Sequence, residues 1–162
     1  APLGAAELLS KSRLDWQCSL SRCLKLWCQE APELEQSGHL ILAWTNLGSL
    51  VEGTLKLFLS VRYETYKNDV DAMRNKTGKL REPDGLTLEP IRQFFKKNIW
   101  DTAWDDWVQH IQYRRNAIHA FKNREIGTHG ELVDDIRTYL QLIRYINYRL
   151  PYPDKEYIPQ EK

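Results

Sequence analysis

Apolar residues recur every three or four positions along most of this chain, and glycine and proline interrupt the rhythm at few places. That spacing places apolar side chains on one face of a helix of about 3.6 residues per turn. A first helix is expected over 5–30, with Leu9, Leu14 or Trp16, Leu20, Leu24 and Trp27 on its apolar face and Pro32 ending it. A second, starting near the potential N-cap Ser37, carries Leu40, Trp44, Leu47, Val51, Leu55 and Phe58 towards Tyr66. Gly48 and Gly53 inside it point to close helix–helix approach. The pattern disappears over 68–87, where Pro, Gly, Asn and Asp predict a polar loop, either a mobile lid or a disordered excursion. A short helix over 88–99 has Pro90 in its first turn. After a break at 98–101 a longer helix runs over 102–121, then a turn at 126–130, then a last helix over 131–150.

No stretch shows the alternation of a strand, and neither an internal repeat nor a second domain is visible. The expected fold is all-α: one domain over 1–150, an up-and-down bundle of four main helices plus a short one, with an extended proline-containing tail over 151–162.

Composition adds modest constraints. With 162 residues, 42% hydrophobic and 28% charged, the chain is large enough for one real core. Six tryptophans and eight tyrosines enlarge the area it can bury. A formal net charge of +1 means that any nucleic-acid site must concentrate positive charge locally. Cys18, Cys23 and Cys28 are odd in number and step about 140° around a helix, so they diverge; neither a disulfide framework nor a metal site is expected. No apolar run approaches the ~18–20 residues of a membrane span. The opening residues lack the features of a signal peptide. The expected location is cytoplasmic, with no membrane partner.

One segment departs from the amphipathic pattern: Tyr113-Arg114-Arg115-Asn116-Ala117-Ile118-His119-Ala120-Phe121-Lys122. On a helical wheel, Trp107, Val108, Ile111 and Ile118 form an apolar stripe around Trp104. Arg115 falls about 20° from Trp104, inside that stripe, with His119 at about 60° and Arg114 at about 80° on the other shoulder. A guanidinium in an apolar stripe needs a partner or an anionic ligand. Either Arg115 meets a buried carboxylate, with Glu52 the obvious candidate, or the end of the helix faces phosphate. Arg114, Arg115, Lys122 and Arg124 form a basic spot suited to phosphate, and Tyr113 and Phe121 supply aromatic faces for bases or for the core. His39 and His129 are expected to face solvent, and His110 to border the same cleft or lie on the surface.

Arg114-x4-His119 matches the R-x(4–6)-H signature of the HEPN superfamily, late in a long helix of a helical bundle. The text around it, and Ala43-Trp44-Thr45-Asn46-Leu47-Gly48-Ser49-Leu50-Val51-Glu52-Gly53, also resembles bacterial HEPN-type proteins, over roughly residues 5–150. Arg114 fits the spacing; the register Arg115-Asn116-x2-His119 is one residue short. Phe121 stands where many such toxins carry a modifiable tyrosine, so regulation by that route is not expected.

The resemblance implies a homodimeric, metal-independent endoribonuclease that needs no cofactor and leaves 2′,3′-cyclic phosphate ends. Arg114 and His119 would be catalytic. Arg115, Asn116, Lys122 and Tyr113 would bind substrate RNA, with Glu52 in support. It further implies a toxin–antitoxin or antiviral defence setting, with an antitoxin or other defence-system protein as a possible partner. The alternatives are a HEPN-like module that binds RNA or dimerises without cleaving it, and a helical scaffold in which Arg115–Glu52 is structural.

Overall fold

A computed structural model describes residues 3–119 and 123–151. Among them seven α-helices and three short 3-10 turns account for the regular structure, and the only β-type pairing is an isolated bridge between Arg74 and Leu80. The fold is therefore all-helical.

The first predicted helix is two. Helix α1 (Leu3–Ser10) ends where Ser10 and Ser12 donate their hydroxyls back to the carbonyls of Glu7 and Leu9. Arg13 then takes a left-handed conformation, φ 46°, its guanidinium held by Asp15 and stacked over Trp16. Helix α2 (Leu14–Trp27) follows and fully buries only Leu24, leaving Trp16 60% exposed.

Helix α3 (Gln36–Val61) is the axis of the molecule, with α1, α2, α5, α6 and α7 all packed against it. Ala43, Trp44, Leu47, Leu50, Val51 and Leu55 are almost wholly excluded from solvent on it. A break at Arg62 separates it from the short α4 (Tyr63–Asn68).

The segment between Asn68 and Leu88 is irregular, as its composition predicts, but it is tied down rather than loose. The Tyr66 hydroxyl donates to the Arg81 carbonyl and accepts from the Met73 amide, Lys97 pairs with Asp71 at 2.7 Å, and Ala72 and Leu86 enter the core. Two buried apolar anchors and a buried tyrosine supply what the polar composition conceals.

Helix α5 (Leu88–Asn98) buries Ile91, Phe94 and Phe95. Asp101 caps helix α6 (Thr102–Arg115) by accepting the Trp104 amide. Between α5 and α6 lies a buried ion pair that periodicity did not single out: Arg92 to Asp105 at 2.6 Å, with Lys96 on the second carboxylate oxygen at 2.8 Å. Helix α7 (His129–Asn147) closes the core with Leu132, Ile136, Tyr139, Leu142 and Ile146.

The long helix expected over 102–121 ends at Arg115. It passes into a 3-10 turn, Asn116–Ile118, and then into extended backbone at His119. Asparagine favours helix ends because its side chain competes for backbone groups. Phe121 and Lys122, and the tail beyond Pro151, lie outside the described residues.

Candidate functional site

The turn that leads into α7 is built around Arg114. Gly127 there has φ 66°, and the Trp44 indole N–H donates to the Ile126 carbonyl at 2.8 Å, fixing the turn onto α3. Thr128 and Glu131 form a reciprocal capping box at the start of α7. The remaining oxygen of Glu131 accepts from Arg114 Nη2 at 2.9 Å, while Arg114 Cζ sits 4.8 Å from the Trp44 ring centroid. The hydrogen bond from Arg114, followed by that from the Thr128 amide, holds the Glu131 carboxyl below its ordinary value. Arg114 is 5% exposed, and its Nη1 has no hydrogen-bond partner among the described residues.

Arg115 leaves the helix in another direction. Its Nη1 donates to Glu52 Oε2 at 2.7 Å, and Lys56 holds the other carboxylate oxygen at 2.9 Å. The stem of Arg115 lies against Gly48, where any larger residue would collide with it. Burial pushes the Glu52 carboxyl up, but Arg115 and Lys56 outweigh it and leave the group below its ordinary value.

The wheel therefore assigns the two arginines the wrong way round. Arg114, on the shoulder of the stripe, is buried; the Arg115 side chain, near its middle, is 26% exposed. At its C-terminal end α6 no longer faces only the apolar core. The α7 turn covers Arg114, whereas Arg115 looks into an open cleft beside α3. Ile118 is exposed because the regular helix stops before it.

His119 is exposed, and no described residue hydrogen-bonds its imidazole; its backbone N–H donates to the Asn116 carbonyl at 3.2 Å. Asn116 opens the 3-10 turn and is partly exposed. Tyr113 is 45% exposed, with the Arg124 guanidinium 4.8 Å above its ring. Among the expected substrate-binding residues, Arg115 meets the supporting Glu52, Tyr113 and Asn116 lie near the end of α6, and Lys122 is outside the described residues.

The sequence reading missed Glu131, Gly127 and Trp44. The Thr128-His129-Gly130-Glu131 spacing was a legible capping signature; nothing in the pattern announced that Glu131 also receives an arginine. His110 is held by Asp135 through Nε2 at 2.9 Å, and the other Asp135 oxygen accepts from Trp107 at 2.8 Å. His39 and His129 do not stand in solvent. Both are partly buried against Trp27, and His129 Nε2 lies 3.0 Å from the Trp27 carbonyl oxygen. No trio of His, Cys, Asp or Glu among the described residues is placed to hold a metal ion, and the three cysteines are free.

No helix among the described residues is long and apolar enough to cross a membrane. No protein-family model matches the chain, and neither does any curated protein or solved structure, so the HEPN resemblance rests on the motif and its setting alone.

Proposed function

We propose that this chain is a HEPN-like endoribonuclease acting as a homodimer, with His119 as its acid–base group and Arg114 as its phosphate-directed cation. The observation that carries the reading is the exposed imidazole of His119, hydrogen-bonded by no described residue, one short turn beyond a helix end that bears two arginines. Histidine titrates near neutral pH and suits proton transfer to and from RNA oxygens. In the proposed reaction His119 takes the proton of a 2′-hydroxyl. That oxygen attacks the adjacent phosphorus, the bond to the 5′-oxygen breaks, and the second protomer's imidazolium protonates the leaving oxygen. A two-fold dimer supplies the two imidazoles that one motif lacks. Tyr113 and Ile118 add exposed apolar surface beside the motif, suited to a second copy or to bases.

Arg114 serves the developing negative charge through Nη2, once the half-exposed Glu131 carboxylate that now holds this nitrogen yields. A toxin–antitoxin or antiviral setting, with RNA as substrate and a cognate regulatory protein, belongs to the same reading.

A second reading has its own observation. Arg114 and Arg115 are each neutralised by a glutamate, as in a HEPN-like module that binds RNA or dimerises without cleaving it. Labelled single-stranded RNA with excess EDTA separates the two. The ribonuclease reading expects cleavage by the wild type and a loss of about 10²–10⁴-fold in His119→Ala. Equal rates for the two proteins, or binding without cleavage by the wild type, overturn it.

A further inference from the structure

A cleft of about 350 Å³ opens between α1, α2 and α3, with Glu52 in its floor and Arg115 entering from the end of α6. We propose that it binds a nucleoside monophosphate, either as a free nucleotide or as one unit of a single-stranded RNA.

Two cations converge there on one carboxylate. Arg115 and Lys56 both engage Glu52, and Asp84 is the second carboxylate of the lining, so that with Lys11 the cleft carries three cations against two carboxylates. Lys11, the third cation, stands at the rim, where its present partner is the exposed Glu7. An anion within reach of Arg115 and Lys56 completes this arrangement, and phosphate matches the guanidinium fork best. Helix α3 is notched on both sides of Glu52. Gly48 admits the Arg115 stem and Gly53 admits the carboxamide of Gln17, so polar ends from two other helices reach the same stretch of α3.

That Gln17 carboxamide lines the cleft and makes no hydrogen bond to any described residue. Its two donors and one acceptor suit the edge of a base. Leu8, Leu14 and Leu57 give the cleft an apolar wall, which inorganic phosphate alone would not use. The left-handed turn at Arg13 swings Leu14 and Gln17 over α3 and so creates this wall. The volume lies in the range of small-molecule sites. Cation, free amide and apolar wall together describe a phosphate joined to a planar, hydrogen-bonding body.

The inference shares Arg115 with the ribonuclease reading but needs no cleavage, so either can fail alone. Calorimetric titration of the intact chain at low salt uses 5′-AMP and 5′-UMP, with adenosine and inorganic phosphate as controls. At least one nucleotide is expected to bind about tenfold more tightly than either control. Lys56→Met should weaken that binding by about tenfold. Gln17→Leu touches no ion pair, leaves the thermal transition in place and should weaken it severalfold. Competition by a 2′-O-methyl RNA trinucleotide would identify the ligand as an RNA unit, and its failure to compete would identify a free nucleotide; both support the site. No binding of either nucleotide, binding no tighter than inorganic phosphate, or equal affinities in Gln17→Leu and the wild type would overturn it.

Discussion

The guanidinium of Arg114 occupies the space that a side chain at Gly127 would need. Any Cβ there would meet Nη1 and Cζ, and the φ of 66° already disfavours L-residues other than Asn or Asp. Arg114, Gly127 and the α7 capping box therefore form one unit, in which a glycine admits the arginine and a glutamate holds it.

Gly127→Ala is expected to lower stability by about 2–3 kcal/mol in urea unfolding, summing left-handed strain and displacement of the guanidinium. In an Arg114→Ala background the penalty should fall to the strain part, about 1 kcal/mol, because the space is then empty. Additive effects of the two substitutions would show that the contact is energetically irrelevant.

Arg92 and Asp105 are the most deeply buried ion pair among the described residues, with side chains 5% and 1% exposed. Arg92→Met should lower stability by about 3 kcal/mol, since Asp105 would retain only the half-exposed Lys96. Denaturant midpoints of the two proteins check this. Arg115→Ala should be milder, about 1–2 kcal/mol, because Lys56 continues to neutralise Glu52.

Glu52 also sets a pH dependence. Its carboxyl lies below its ordinary value of 4.5 when folded, so the folded state favours the ionised form more than the unfolded chain does. The contribution is complete above about pH 4.5 and disappears as pH falls through the lowered value. Glu52→Gln should therefore be less stable than the wild type at pH 7 by about 1–2 kcal/mol, with the gap narrowing towards pH 3. Thermal melts at the two pH values measure it. A gap that widens in acid would contradict the assignment.

The helical character of the chain was legible because its apolar spacing is regular. Residues 88–98 and the start of α6 at Thr102 follow directly from Pro90, the apolar rhythm and the break at 98–101. The division at Arg13 was not legible, since the apolar spacing continues through it and only the serine back-bonds end α1. The Arg115–Glu52 contact was legible because a charge in an apolar stripe requires a counter-charge, and α3 offered one. The fate of Arg114 was not, because its partner lies across a turn whose shape depends on Gly127 and Trp44. Wheel angles also lose meaning beyond Arg115, where the α-helix gives way to a 3-10 turn.

The ribonuclease proposed above requires the 114–119 segment to cut RNA through the ribose 2′-hydroxyl. Its most direct test is an end-labelled single-stranded RNA beside its all-deoxy copy, incubated with the wild-type protein in EDTA, with product ends read by mass spectrometry. Cleavage of the RNA alone is expected, leaving 2′,3′-cyclic phosphate and 5′-hydroxyl ends. An intact RNA in the presence of folded protein, or equal cutting of the deoxy copy, would contradict it.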